Sequence, residues 1–335
     1  MRLGVTVILL GLISGPRAGA GEKEPSPEGV LAGVRTFFAK TALADGSFQP
    51  GVDAKYKGMS DCAASDLAAP TYAVVLHRTF GWKLPHEAKT VEFFQSRQHS
   101  DGAFLHVQGT MDPKSAQARL YNTTQALVAL RALGAKPRYD ATPVFAPILV
   151  ADYKTLPPYT TSFFPLAYLA AGKKIPKDAD EKIRALMVQD EDGYLHNHIA
   201  NTFHMVHYYR LVGDKNVPKA TQIVARVLRD QSVDGSWLIN PPARDRHATF
   251  DAVFTLVHLG QGKPEVRRAL DKAVAWVLRC RNADAGFGHF PGTTSDADAV
   301  YFHVGTLVMA GWLRPVEPLP PNPELLGWGH LMRRP

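Results

Sequence analysis

Four histidines lie close together in the middle of the chain, where their side chains could bind a ligand or transfer protons. They fall within twelve residues and are accompanied by amide and phenol groups: His196, His198, His204, His207, Asn197, Asn201 and Tyr208. His204 and His207 are three residues apart and therefore share one face of a helix. This set predicts a partly hydrated cavity lined by histidine, with a purely structural helix as the alternative.

Two other segments place acidic residues directly before apolar helical stretches. Residues 244–247 are Arg-Asp-Arg-His, and residues 296–299 are Asp-Ala-Asp-Ala. An aspartate at a helix start accepts hydrogen bonds from unpaired backbone amides and interacts favourably with the helix dipole. Helix capping is therefore the simplest interpretation of Asp245, His247 and Asp298, and chemistry at these residues is the alternative.

A repeated turn indicates how such residues are positioned. The pattern Asp-Gly followed by an aromatic residue recurs along the chain, at Asp45-Gly46-Ser47-Phe48, Asp101-Gly102-Ala103-Phe104, Asp192-Gly193-Tyr194 and Asp234-Gly235-Ser236-Trp237, with a looser copy at Asp284-Ala285-Gly286-Phe287. The interval from Asp101 to Asp192 is double the others, so it contains a degenerate copy. Counted this way, the spacing is about 48 residues, which is typical of a helical repeat.

Each turn precedes an apolar helical stretch that ends at a glycine. These stretches cover residues 72–81, 124–134, 162–172, 201–213, 249–260 and 301–311. A glycine at the end of a helix can adopt the left-handed conformation that the cap requires. The unit is thus an outer helix, an Asp-Gly turn and an inner helix, repeated about six times.

Closure of these helix pairs into a ring is predicted from the apolar character of the inner helices. They are apolar on nearly all sides and must be buried on both flanks. The expected fold is all-α, an α/α toroid of six hairpins over residues 21–313. Residues 314–335 contain six prolines and are expected to form an irregular tail over one mouth of the ring.

The N-terminal residues 1–20 have the features of a secretory signal. Arg2 precedes the apolar run VTVILLGLI, and Ala18-Gly19-Ala20 follows as a cleavage site. We therefore expect an exported protein, periplasmic or secreted, that begins after Ala20. Nowhere does the chain contain the eighteen consecutive apolar residues of a transmembrane anchor. Its basic residues are scattered, which argues against nucleic acid as a partner.

Two cysteines occur, Cys62 in the first repeat and Cys280 in the last. Two buried free thiols are the default expectation. Because a closed ring brings the first and last repeats side by side, a disulfide between them is the alternative in an oxidising compartment.

The repeat with its Asp-Gly-Ser-Trp/Phe turns resembles the superfamily of protein prenyltransferase β-subunits and squalene cyclases, over residues 27–313. The most specific stretch is residues 284–311, DAGFGHFPGTTSDADAVYFHVGTLVMAG. The resemblance implies a toroid with an active site at the mouth, by the N-terminal ends of the inner helices. Such helix ends suit a diphosphate group.

A zinc site is a further implication of the resemblance. Prenyltransferases have an Asp-x-Cys where this chain has Asp245 and His247, and imidazole is also a zinc ligand. The family's third ligand is a histidine at the position of Ala299 here. Asp298 or His303 could replace it, and the predicted ligand set is Asp245, His247 and His303.

Catalytic and substrate-binding roles follow from the same resemblance. Asp298 lies in a segment similar to the Asp-x-Asp-Asp acid motif of class II terpene cyclases, although the third aspartate is missing. His204 and Tyr208 are near the histidine and tyrosine that contact diphosphate in prenyltransferases. The expected substrate-binding residues are His196, His198, Arg244, Arg246 and Tyr121.

The sequence is compatible with two functions. The first is an isoprenoid-handling transferase with a metal site at the mouth of the cavity. The second is a secreted ligand-binding toroid without metal, or one similar to polysaccharide lyases, in which Tyr208 or His204 would abstract a proton beside Arg244 and Arg246. Under either function, Asp245, His247, His198 and Asp298 are predicted to meet at one mouth.

The signal segment yields the first testable prediction. Expressed in full length in a Gram-negative host, the protein should be recovered from the periplasm or medium and begin near Gly21. N-terminal sequencing and intact mass measure this. Recovery from the cytosol with residues 2–20 still attached would contradict it.

Overall fold

The computed structural model describes residues 25–152, 155–239 and 245–334. The predicted signal (residues 1–20) and Arg244 lie outside these ranges. In the described ranges the regular structure is helical, with β-bridges only as isolated pairs. Among the described helices, none has the length and apolar character that a membrane crossing requires.

The α-helices follow the chain as an alternation of outer and inner elements. In order they are α1 (Pro27–Thr41), α2 (Ser60–Ala64), α3 (Ala68–Thr79), α4 (Glu87–Ser96), α5 (Ala116–Ala132), α6 (Phe145–Pro147), α7 (Phe163–Ala170), α8 (Lys177–Leu186), α9 (Ile199–Leu211), α10 (Ala220–Arg229), α11 (Ala248–Leu259), α12 (Pro264–Arg279) and α13 (Ala297–Met309). Short elements flank α6 and precede α7: 3₁₀ turns at Thr142–Val144 and Pro158–Ser162, and a π-helix at Ile148–Asp152. Another 3₁₀ turn, Pro323–Leu325, lies in the C-terminal segment.

The inner helices are α3, α5, α7, α9, α11 and α13, and they form a closed ring. Each packs on the next in chain order, and α13 returns to pack on α3. At that junction Tyr72 and Tyr301 stack with their ring centroids 4.6 Å apart. The predicted α/α toroid is therefore confirmed, and the first and last units touch.

The Asp-Gly turns have the predicted chemistry. In each turn the aspartate side chain accepts a hydrogen bond from a backbone amide two residues on, as Asp234 does from Ser236 at 3.0 Å. The glycines have positive φ, +95° at Gly235, and the aromatic residue is buried, Trp237 being 2% exposed. In the looser copy Ala285 takes the left-handed position, with φ of +77°.

A glutamine three residues before the aspartate joins neighbouring repeats. The side-chain amides of Gln98, Gln189 and Gln231 each donate both to the glycine carbonyl of their own turn and to a carbonyl in the next repeat. For Gln231 the two carbonyls belong to Gly235 and Ala269, at 3.1 and 2.9 Å. This recurring contact fixes the position of each turn relative to the next repeat.

The glycine caps of the inner helices match the prediction at five positions. Gly81, Gly134, Gly172, Gly213 and Gly311 have positive φ. At the end of α11 the prediction is wrong, because Gly260 has φ of −111° and continues the last turn. There Gly262 takes the left-handed conformation, with φ of +76°.

The C-terminal segment enters the ring, whereas the sequence predicted a tail lying over it. Residues 325–332 are all buried. The imidazole of His330 is 2.8 Å from the hydroxyl of Thr79, and Arg334 donates to the carbonyl of Met309 at 2.7 Å. Both partners lie at the C-terminal ends of inner helices, so the segment fills that half of the ring. We call residues 325–332 the plug.

Cys62 and Cys280 are buried free thiols. The default expectation is met, and the alternative of a disulfide has no support. Cys62 lies near Asp296 within the first repeat's contact with α13, whereas the thiol of Cys280 faces the carbonyl of Trp276 in its own helix, at 3.6 Å.

Substitution of Gly235 tests the close fit between a turn and the next outer helix. A Cβ atom there would lie 2.3 Å from the backbone carbonyl oxygen of Lys272 in α12. At Gly213, with φ of +76°, a Cβ would meet nothing within 4 Å. We expect Gly213→Ala to cost about 1 kcal/mol of unfolding free energy, for left-handed strain alone. Gly235→Ala should cost at least about 2 kcal/mol more, because of overpacking. Urea denaturation measures both, and equal losses would contradict the packing argument.

Candidate functional site

A cavity of about 410 Å³ opens at the N-terminal ends of the inner helices. Its apolar wall is mainly aromatic and comprises Tyr121, Phe163, Phe203, Phe302 and Trp328. The ionisable residues on its wall are Asp61, Asp245, Asp251, His198, His204 and His247. Among the described lining residues there is no lysine or arginine. The size and the mixture of aromatic wall and few polar groups are typical of a small-molecule site.

A buried pair, His247 and Asp298, connects the last two inner helices at this cavity. His247 caps α11, and its Nε2 lies 3.0 and 3.2 Å from the carboxylate oxygens of Asp298, in the first turn of α13. Its ring stacks on Phe302 with centroids 3.9 Å apart. His247 borders the cavity, while Asp298 is completely buried behind it.

The pair holds a positive charge on the cavity wall. Burial alone would lower the pKa of His247, but the charge and hydrogen bond of Asp298 outweigh burial and raise the pKa to about 10. Burial also raises the pKa of the Asp298 carboxyl, against the opposing effect of His247. At neutral pH His247 is therefore an imidazolium.

Residues 56–61 of the first repeat, which precede α3, donate hydrogen bonds to the aspartates at the start of α13. Asp296 caps α13 by accepting from the amide of Asp298 at 2.9 Å. Its other oxygen accepts from the Tyr56 hydroxyl and the Met59 amide, both at 2.9 Å. The amide of Asp61 donates to Asp298 at 3.3 Å. The start of the last helix is thus fixed by residues from the start of the chain.

Asp251 is a candidate that the sequence did not single out. It lies in the first turn of α11, lines the cavity and is only 2% exposed. Its Oδ2 has no hydrogen-bond partner among the described residues. Burial raises the pKa of this carboxyl well above its ordinary value, which favours its protonated form. The signal in the sequence was its position one turn after His247, inside an otherwise apolar helix.

Three side chains have the arrangement of a metal site. The ligand atoms of His247, His289 and Asp298 lie within 4.8 Å of one another. Both ring nitrogens of His289 are buried without a hydrogen-bond partner among the described residues, and its Nε2 is 3.8 Å from Asp298. Burial lowers the pKa of His289 to about 2, so it is a neutral imidazole. Two imidazoles and one carboxylate fit zinc with an open coordination position.

The predicted third ligand, His303, is not part of this cluster. Its Nε2 is 2.9 Å from the carbonyl of Gly288, and its ring packs beside Trp276 and Phe287. Five residues separate it from Asp298, a rotation of roughly 140° around the helix, so the two side chains cannot share a face. His289 and Asp298 take its place in the cluster. Asp245, also a predicted ligand, accepts a hydrogen bond from the backbone amide of His247 at 2.8 Å.

Two of the four histidines of the fourth repeat line the cavity, and the other two lie elsewhere. His198 and His204 line the cavity, and the Nδ1 of His204 is 2.8 Å from the hydroxyl of Ser162. His207 is fully buried against the same hydroxyl, at 3.2 Å. His196 is exposed and borders a smaller pocket, so its predicted role in substrate binding in the central cavity is not supported.

Tyr208 is placed away from the cavity, contrary to its predicted catalytic role. Its hydroxyl donates to Asp180 on the outer helix α8, and Arg184 lies over its ring. Arg246 is not among the residues that line the cavity. The arrangement expected of a polysaccharide lyase therefore has no support. Tyr121, in contrast, lies on the aromatic wall as expected.

Comparisons with known proteins agree with this architecture. The model of the family described as prenyltransferase alpha-alpha toroid domain matches residues 28–145 and 163–333. A variant of the type II terpene cyclase MstE from Scytonema, in complex with geranylgeranyl dihydroxybenzoate, has 13% identity and a TM-score of 0.54, covering 91% of this chain and 98% of that one. Candida albicans protein geranylgeranyltransferase-I, complexed with GGPP, has 11% identity and a TM-score of 0.54, covering 78% and 88%.

ent-Copalyl diphosphate synthase from Streptomyces platensis has 13% identity and a TM-score of 0.50, covering 73% of this chain and 50% of that one. A comparison with curated proteins found no match. At these identities the structural similarities establish the fold alone.

Replacing Asp298 tests the origin of the charge on His247. In Asp298→Asn the pKa of His247 should fall from about 10, since the largest effects that oppose burial are removed and only the weaker ones of Asp61 and Asp245 remain. Because the pKa of His247 is higher in the folded protein than its ordinary value of 6.5, the protonated imidazole stabilises the fold fully below pH 6.5. This stabilisation is lost as the pH rises to about 10. The variant should lose this dependence on pH.

Histidine NMR titration and denaturation between pH 6 and 10 measure these effects. The matched control is Asp112→Asn, at an exposed turn. An unchanged His247 pKa in Asp298→Asn would contradict the assignment.

Proposed function

Because the chain belongs to the family of prenyltransferase α/α toroid domains, we propose that it is an isoprenoid-handling enzyme that starts its reaction by protonating the bound isoprenoid. Two structural relatives carry ligands of this class, geranylgeranyl dihydroxybenzoate and GGPP. An isoprenoid chain would occupy the aromatic cavity, with a double bond against Asp251.

The observation that carries the proposal is the buried carboxyl of Asp251, which faces an aromatic cavity with one oxygen unpaired among the described residues. An alkene is a weak base, and only an acid that is protonated and free of competing hydrogen-bond acceptors can deliver a proton to it. Asp251 is buried, lines the cavity and leaves one oxygen unpaired among the described residues. It is the group on the wall that meets these requirements.

The neighbouring pair makes this acid stronger. The positive charge on His247 lowers the pKa of Asp251 against the larger effect of burial, which raises it. Asp298 keeps His247 charged and is too deeply buried to touch the ligand itself. In this proposal Asp298 and His247 are positioning residues, and Asp251 is the catalytic acid.

Proton transfer from Asp251 starts the reaction. The O–H bond of Asp251 breaks, and the π electrons of the alkene form a new C–H bond, which leaves a carbocation on the adjacent carbon. A second double bond of the same chain can attack this carbon and form a C–C bond. A proton is finally lost from the product cation, and one proton returns to Asp251.

The neighbouring helix α9 carries groups that suit that last step. Burial lowers the pKa of both His204 and His198, so they are neutral imidazoles that can accept a proton. The aromatic faces of Phe163, Phe203 and Trp328 would stabilise a cation in between.

The composition of the described wall favours an uncharged isoprenoid over a diphosphate. Three aspartates and no lysine or arginine occur among the described lining residues. Among the described lining residues a diphosphate would find no guanidinium or ammonium partner, and the imidazolium of His247 is already paired with Asp298. A terpene alcohol or phenol-linked chain needs no such partner.

A second candidate function, metal-assisted transfer of an isoprenoid group, is favoured by His289. An imidazole with both nitrogens buried and unpaired among the described residues is costly unless a ligand completes it. Zinc bound by His247, His289 and Asp298 would complete it. Bound zinc would act as a Lewis acid toward the substrate at its open position. Export from the cytosol is part of both candidates and depends on the signal at residues 1–20.

The two candidates are separated by isotope incorporation. The protein is incubated in D₂O with farnesol or geranylgeraniol, and the recovered isoprenoid is analysed by mass spectrometry. Protonation of an alkene carbon adds one deuterium, and Asp251→Asn should slow this about 10²–10⁴-fold. The rate should fall as pH rises through the elevated pKa of Asp251. Asp140→Asn, at an exposed turn, is the matched control.

Metal analysis on the same preparations completes the test. One zinc per chain that disappears in His289→Ala, together with activity abolished by a chelator, would favour the transferase. Metal-independent deuterium incorporation favours the acid. Full incorporation by Asp251→Asn would eliminate the proposed role of this residue.

A further inference from the structure

The plug and the cavity divide the interior of the ring between them. The cavity-lining residues that belong to inner helices lie in the first two turns of these helices, such as Ala200 and His204 on α9 and Asp251 on α11. The plug contacts later turns, where a Cβ added at Gly329 would meet Phe254 and His207 at 2.8 and 3.2 Å. The two regions meet at Trp328, which belongs to the plug and also lines the cavity.

The indole of Trp328 forms the inner end of the cavity. Its ring centroid is 4.6 Å from that of Phe163 and 6.4 Å from that of His204. The residue is 5% exposed, so the indole is packed on its other sides. A chain that enters through the mouth therefore ends against this ring.

The plug is held by groups other than the indole. The backbone amide of Trp328 donates to the hydroxyl of Tyr301 at 2.5 Å. His330 contacts Thr79, and the guanidinium of Arg210 donates to the carbonyl of Arg333 at 2.9 Å. Because these bonds do not involve the Trp328 side chain, that side chain can be shortened while the plug stays in place.

We propose that Trp328 is a specificity-determining residue that limits the length of the isoprenoid chain. The inference rests on the proposed function, because it requires an apolar chain in the cavity. The plug reduces the accessible interior to about 410 Å³, near the lower end of the range for small-molecule sites. Short prenyl chains fit this space better than long ones, and removal of the indole extends it toward the C-terminal half of the ring.

The test compares chain-length preference in Trp328→Ala and wild type. Geraniol, farnesol and geranylgeraniol are the probes, and equilibrium dialysis gives each dissociation constant. Wild type should bind geraniol or farnesol more tightly than geranylgeraniol. In Trp328→Ala the affinity ratio should shift toward geranylgeraniol by at least about tenfold, since each buried methylene of the ligand strengthens binding. Trp328→Phe should give a smaller shift in the same direction.

Trp82→Ala is the matched control. Trp82 is partly buried, stacks on Phe80 with ring centroids 4.9 Å apart, and is not a lining residue of the cavity. It should leave the ratio at the wild-type value. Circular dichroism confirms that each variant is folded, and Trp328→Phe decides the matter if the alanine variant does not fold.

The outcomes separate this inference from the proposed function. Binding by both proteins with an unchanged length ratio would overturn the role of Trp328 and leave the proposed function standing. Absence of binding of all three alcohols to both proteins would overturn both. A shifted ratio without any deuterium incorporation would support the length limit and count against the acid chemistry.

Discussion

Burial of the inner helices on both flanks is the constraint on which the molecule depends. Helices such as α7 and α11 are apolar on nearly every side, and a ring gives each of them two neighbours. Hydrogen bonds also hold the ring closed. The loop before α3 reaches Asp296 and Asp298 at the start of α13, and the bond from Tyr56 to Asp296 spans 240 residues of sequence. The mouth of the cavity is assembled across this junction.

Closure places ionisable groups where water is scarce, and this determines their charge. His247 remains charged because Asp298 faces it, whereas burial raises the pKa of Asp251 and lowers the pKa of His204, which favours the uncharged form of each. The cavity wall therefore combines an acid on α11, uncharged imidazoles at the start of the neighbouring helix α9, and aromatic rings. Such a distribution suits proton transfer to and from an apolar ligand more than recognition of an anion.

The plug gives the ring its second functional property, a defined depth. Without residues 325–332, the interior would be open along the later turns of the inner helices. The chain instead returns its own C-terminal segment into that space and fixes it through backbone and histidine contacts. The dimensions of the ligand site therefore depend on a segment that is outside the helical repeat.

Local features of the sequence determined the repeat, because an Asp-Gly turn and a helix cap depend on neighbours only a few residues away. The same reasoning identified His247, Asp298, His198, His204 and Tyr121 as residues near the mouth. It could not decide which side chains meet, since that depends on helix rotation: His303 faces Trp276, and His289 lies beside Asp298 instead. It also missed Asp251, whose protonation follows from burial, and the plug, whose prolines and glycines have no period. Tertiary packing decided these features, because solvent exclusion and contacts between distant helices set both the charge and the direction of each side chain.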